Sequence, residues 1–162
     1  MKILVAYYSE TGNTEKIAFA IYDSIHAEKE IKKVMDLDNP QGYDLIFFGF
    51  PVVEHSVPPQ AAAGLKKIPE GQKIAFFSTH GSMRGGIKAR QAFEHALGLA
   101  AKARVLGHFG CRGKVPSSLL EWFEGKIEHR AWAEEAAGSF RHPDENDMED
   151  AKRFAAEMID KL

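Results

Sequence analysis

Four short apolar runs constrain this chain most: Ile3 to Tyr8, Leu45 to Phe50, Ile74 to Phe77 and Val105 to Phe109. Each is near-continuous rather than alternating, the pattern of a strand covered on both faces in a parallel sheet. A fifth, more polar run, Ile31 to Leu37, suits an edge strand. Helical patterns fill the intervals. Thr14 to Ala27 places Ile17, Ile21 and Ile25 at steps of four, one inward stripe. Gly86 to Ala103 offers Ile87, Phe93 and Leu97 as its expected buried positions. Asp144 to Leu162 carries Met148, Ala151, Ala155, Met158, Ile159 and Leu162 on one face, with Pro143 marking its start. A weaker helix is expected over Ala61 to Ile68. Pro116 to Gly138 reads as one or two extra helices, with Trp122 and Trp132 expected in core or sub-core packing.

Strands alternating with helices, with no internal repeat and no break in composition, predict one α/β domain spanning residues 1–162. Right-handed crossovers make it a doubly wound five-stranded parallel sheet of order 2-1-3-4-5. In such sheets ligands sit beyond the carboxyl ends of the strands, where the winding reverses. The turns that matter therefore follow Tyr8, Phe50, Ser78 and Gly110.

The charge balance narrows the partners. At a formal net charge of -2 there is no global basic field to attract nucleic acid or an anionic membrane, and neither is expected as a partner. No apolar run approaches the roughly 20 residues that span a bilayer. The start has too short an apolar stretch for a signal peptide. The single cysteine, Cys111, excludes an internal disulfide and a cysteine-built metal cluster, so a reducing cytoplasm is the expected location.

The first turn, Ser9-Glu10-Thr11-Gly12-Asn13-Thr14, leads straight into a helix. Free N–H groups and the positive dipole end at a helix N-terminus favour an anion. Gly12 lets the backbone curl, and Ser9, Thr11 and Thr14 offer hydroxyl donors. An ordinary helix cap needs one such residue; here four cluster at the ligand end of the first strand. The loop has no Lys or Arg, so a bound phosphate would be held by neutral dipoles.

The stretch Tyr8-Ser9-Glu10-Thr11-Gly12-Asn13-Thr14, between a first strand and a first helix, resembles the phosphate loop of the flavodoxin family. The strand pattern extends the likeness along the whole chain. The resemblance implies a flavodoxin-like fold and non-covalent FMN, its phosphate on residues 9–14 and its ring between the loops after the third and fourth strands. Pro51, Val52, Val53 and Met83 would give the ring apolar contact. Thr79, Gly81, Ser82 and nearby backbone would bond its edge, and Glu54, His55 and His80 stand on the same loops.

Three departures from the family pattern stand out. Neither loop carries the usual Trp or Tyr stacker. No glycine lies between Gly49 and Gly64, where the family commonly has one whose peptide reorients on flavin reduction, so such a change would force another residue towards positive φ. Glu54 stands against His55, His80, Arg84 and Lys88, whereas the family is strongly acidic around the ring. Other signals fail: Cys111 has no Arg six positions on, and reads as a structural thiol. No histidines have metal-ligand spacing, and no catalytic or metal residue is assigned. The resemblance implies electron transport between redox partner proteins, a reductase and an acceptor. The alternative is an FMN-dependent oxidoreductase acting directly on a small molecule such as a quinone or porphyrinogen. A receiver-like module would need acidic residues where Tyr7-Tyr8-Ser9 stand.

Overall fold

The computed structural model describes residues 1–162. Five strands, β1 (Lys2–Tyr7), β2 (Glu28–Lys33), β3 (Leu45–Pro51), β4 (Lys73–His80) and β5 (Arg104–Arg112), form one all-parallel sheet in the order 2-1-3-4-5. The helices are α1 (Asn13–Ser24), α2 (Pro59–Leu65), α3 (Ile87–Leu99), α4 (Ser117–Glu124), α5 (Arg130–Ala137) and α6 (Glu145–Ile159). Alternate strand residues enter two cores. Ile3, Val5, Phe47 and Phe77 meet α1 and α6 on one face. Leu4, Ile46, Phe48 and Phe76 meet α2 and α3 on the other. This two-sided burial is the physical reason the strands read as unbroken apolar runs.

The edge strand departs from its expected place. β2 spans Glu28–Lys33, and Val34–Asp36 is a 3-10 turn. Lys2 and Lys32 clasp Glu30 at 2.7 and 2.8 Å along the β1–β2 edge, which lets a charged sequence pair as a strand. Val34 and Leu37 are buried in the second core, so the chain turns inward there. α1 stops at Ser24, short of Ala27, although Ile17, Ile21 and Ile25 are all buried as expected.

On α3 the expected face is corrected. Ile87 is 65% exposed and Leu97 37%, whereas Ala89, Ala92 and Ala96 are buried. These small side chains let the helix lie close on the sheet. α6 buries Phe154 besides Ala151, Ala155 and Met158, while Leu162 is exposed. Asp144 caps it: its carboxylate accepts from Asp147 N–H at 2.9 Å, and the Asp147 carboxylate accepts from Asp144 N–H at 3.0 Å. His142 joins Asp147 at 2.6 Å, so the His142, Asp144 and Asp147 grouping is a helix cap. The 116–138 segment forms two helices, but Trp122 is 55% exposed and its ring lies under the Lys126 ammonium at 3.4 Å rather than in a core.

Candidate functional site

The ends of β1, β3 and β4 meet at one rim of the sheet. Between β1 and α1, Gly12 takes φ 90, a left-handed conformation that glycine adopts without a Cβ penalty, and begins the helix with no side-chain cap. The backbone N–H groups of Asn13, Thr14 and Glu15 therefore have no hydrogen-bond partner in the protein. Above Gly12 the space is open: an added Cβ would meet nothing within 4 Å. Such a nest of convergent N–H donors at a helix start suits a phosphate group.

The side chains of the loop divide their duties. Ser9 Oγ accepts from Gly12 N–H at 3.1 Å, and Thr11 Oγ1 accepts from the Asn13 amide at 3.2 Å. The same Asn13 amide donates to the Lys114 carbonyl at 2.9 Å, tying the loop to the chain leaving β5. Glu10 accepts from the Tyr8 hydroxyl, and Glu15 accepts from Tyr7 at 2.6 Å. Burial, helped by that bond, pushes the Tyr7 hydroxyl up to about 12. The Thr14 side chain, expected to offer a free hydroxyl, is fully buried and bonds Thr79 at 2.8 Å. Thr14 and Thr79 thus pin the start of α1 to the end of β4.

The loop after β3 is a tight hairpin turn. Val53 N–H donates to the Ser56 carbonyl at 3.1 Å, and Ser56 N–H donates back to Val53 at 2.9 Å. Glu54 and His55 between them sit at φ 48 and 64. The left-handed backbone that the missing glycine was expected to forbid is already occupied by two non-glycine residues. Held strain of this kind gathers at functional loops. His55→Gly is expected to raise stability by about 0.5–1 kcal/mol, read as a higher denaturation midpoint at unchanged slope. Val52 N–H donates to the Thr79 carbonyl at 2.8 Å, joining this loop to β4. His95 of α3, which the sequence did not single out, bonds Ser56 Oγ at 2.6 Å and accepts from Val57 N–H at 3.3 Å. Pro51 and Val52 are half-buried, while Val53, Glu54 and His55 are exposed. Burial, then the neighbouring Lys88, hold the His55 imidazole below its ordinary value.

The loop after β4 is clamped by the extra helices. Trp132 Nε1 donates to Ser82 Oγ at 3.2 Å, the Met83 N–H donates to the Glu135 carboxylate, and Arg112 Nη2 donates to the Gly81 carbonyl at 3.3 Å. Arg112 Nε is buried without a partner. Gly81 is packed so closely that a Cβ would stand 2.6 Å from Val115. Met83 is exposed at the rim. Cys111 is fully buried, and burial drives its thiol far above the ordinary range, as a structural thiol requires.

His80 takes a different position from the rest of its loop. Its Nδ1 donates to the Ser82 carbonyl at 2.8 Å, and its ring lines a cavity of about 400 Å³ beside β5, to which no residue of 9–14 or 51–59 contributes. His108 shares that cavity, with Nε2 on Ser78 Oγ at 2.9 Å and its ring stacked on Phe93 at 4.2 Å. Burial, then neighbouring His80, lower its value to about 4. The neutral ring is favoured by folding, so the stability it contributes is present above about pH 6.5 and is lost as pH falls towards 4. The loss amounts to at most about 3 kcal/mol. His108→Gln is expected to flatten the fall in unfolding free energy between pH 7 and 4 relative to the parent chain.

A doubly wound parallel sheet with an open N–H nest at its first crossover and two loops facing across the next strand ends is the architecture of a mononucleotide-binding α/β protein. The chain matches the model of the flavodoxin domain over residues 4–156. It is 34% identical to the flavodoxin-like domain-containing protein BilS of Clostridioides difficile (strain CD3), covering 99% of this chain and 98% of that one. Among solved structures, oxidised flavodoxin 2 from Bacillus cereus superposes with a TM-score of 0.64 at 22% identity, covering all of both chains. A flavoprotein in complex with FMN from Lactobacillus acidophilus NCFM gives 0.56 at 24% identity, covering 67% of this chain and 92% of that one. The chain belongs to the flavodoxin family, and FMN is the cofactor that this membership and the nest support. No helix is long and apolar enough to cross a membrane.

Proposed function

We propose that this chain holds FMN with its phosphate on the backbone of residues 9–14 and its ring between loops 51–57 and 79–83, and passes electrons between a reductase and an acceptor protein. The observation that carries the reading is the set of unpartnered N–H groups at Asn13, Thr14 and Glu15 under open space. FMN, when bound, supplies the redox chemistry; the protein supplies binding, orientation and electrostatics. Ser9 and Thr11 brace the nest, so its donors need no rearrangement to meet an anion. Val53 and Met83, both exposed at the rim, offer apolar contact to a flat ring. Gly81 and Ser82 stand on the clamped loop, where their backbone groups can meet its polar edge.

The charges at this rim favour a reduced flavin less destabilised than in an acidic carrier. Lys88, lowered by burial, lies close enough to His55 to depress it, and Glu54 is the one carboxylate on the turn. The absence of an aromatic stacker on either loop supports a second reading, direct reduction of a small molecule over an uncovered ring face. Addition of FMN to the purified protein is expected to shift the flavin absorbance bands with one-to-one stoichiometry. Rapid anaerobic bleaching by NADPH plus a flavodoxin reductase, and slow bleaching by NADPH alone, is the result expected of a carrier. Steady NADPH turnover with a quinone and no reductase would decide for the second reading.

A further inference from the structure

We propose that Arg112 is a positioning residue for the flavin: it fixes the loop after β4 as a row of N–H donors and sets a cation behind them, so that reduced FMN is held more tightly than oxidised FMN. The inference rests on the function proposed above and concerns the same site. Arg112 ends β5 in register with His80 and is half-buried. Its Nη2 donates to the carbonyls of Gly81 and Glu135, and its Nε is buried without an acceptor. It pairs with no carboxylate; that of Glu135 takes the Met83 N–H instead. A cation drawn out of water without a counter-ion costs free energy that an arriving negative charge would recover.

The loop's hydrogen bonds show where such a charge would be met. A trans peptide points its carbonyl and the following N–H in opposite directions. The His80 carbonyl accepts from Gly113 N–H at 2.9 Å on the β5 side, so the Gly81 N–H faces β3. There the last rung is Val52 N–H to the Thr79 carbonyl, and the Gly81 N–H finds no acceptor beyond it. Arg112 holds the Gly81 carbonyl at 3.3 Å, so the Ser82 N–H faces away from the guanidinium, and it too has no acceptor. The other groups are spent: the Ser82 carbonyl on His80 Nδ1 and the Ser82 hydroxyl on Trp132 Nε1. What remains is a pair of adjacent donors, and buried N–H groups are rarely left unpaired.

Fixed donors suit an edge of the ring that accepts in both redox states. N1 and the C2 carbonyl do so, whereas N5 becomes a donor on reduction. Reduction by an electron pair from the reductase, with a proton taken up at N5, leaves one negative charge over N1 and the C2 carbonyl. Bonds from Gly81 and Ser82 to that edge then become charge-assisted, and the Arg112 cation behind the loop adds its attraction.

The test is the two-electron midpoint of the loaded protein, measured with FMN and with riboflavin. R112M is expected to weaken reduced FMN about tenfold more than oxidised FMN, which lowers the midpoint by about 30 mV. R112K keeps the charge and a donor, and should recover most of that shift. Riboflavin should show the same shift, because the charge answers the ring and not the phosphate. Equal weakening of both redox states, the mark of a merely structural clamp, would overturn the proposal. So would a shift absent from riboflavin, or R112K as low as R112M. The parent chain gives an independent reading by NMR: the Gly81 and Ser82 amide protons should move downfield on loading, and that of Ser82 further on reduction. An unmoved Ser82 signal would overturn the proposal even if R112M failed to fold. A parent chain that bound no FMN would overturn the proposed function and this inference with it. One that bound FMN with a midpoint indifferent to Arg112 would overturn this inference alone.

Discussion

Thr11→Asp is expected to weaken FMN binding by about two to three orders of magnitude while leaving riboflavin, which lacks the phosphate, bound as before. Thr11 is exposed and contributes an acceptor to the Asn13 amide, a bond that a carboxylate can keep. The turn should therefore fold, and the added charge acts mainly on the anion. A unit charge about 5 Å from a phosphate costs about 3 kcal/mol per phosphate charge at an effective dielectric of about 20, and solvent screening reduces this. Thr11→Val, removing the hydroxyl alone, should cost about tenfold or less. Quenching of flavin fluorescence on titration into the apoprotein measures all three. Undiminished FMN affinity in Thr11→Asp would move the phosphate seat away from this turn. Thr14 is a poor place for the same test, because its buried bond to Thr79 would make an aspartate there a folding defect.

Gly49→Ala is expected to cost about 3 kcal/mol of stability, since a Cβ on this central strand would lie 2.1 Å from two atoms of the Phe77 ring. Phe77 is fully buried among Ala75, Phe109 and the α1 and α6 side chains, so it has little room to withdraw. Gly49 also accepts the Tyr8 N–H at 3.0 Å, just where β1 gives way to the phosphate loop. Pairing Gly49→Ala with Phe77→Leu should recover part of the loss, which identifies the clash as its source. Chemical denaturation gives the numbers; a single variant within 0.5 kcal/mol of the parent would contradict the packing described here.

The strands were legible because burial on both faces writes hydrophobicity into consecutive positions, as at Phe47 and Phe48, whose side chains enter opposite cores. The first turn was legible because an anion nest needs its glycine and polar neighbours in one short stretch. What was lost depends on contacts distant in sequence. His95 anchors the 53–56 turn from 39 positions away, and nothing in its helix announces that task. The inward face of α3 is built from alanines, whose weak hydrophobicity was outweighed on paper by Ile87 and Leu97. The positive φ at Glu54 and His55 left no glycine to betray it. His80 looked equivalent to its loop neighbours, yet its ring lines the cavity beside β5 with His108 and Gly110, a placement that its own loop does not announce.

The Thr14–Thr79 hydroxyl bridge makes two walls of the rim share a foundation. A weight placed on one wall should then be felt in the other. Amide protons near the end of β4 should exchange more slowly once the first turn is loaded, even those far from any new contact. Thr79→Val would cut this line, leaving loading at the turn intact but silent across the sheet.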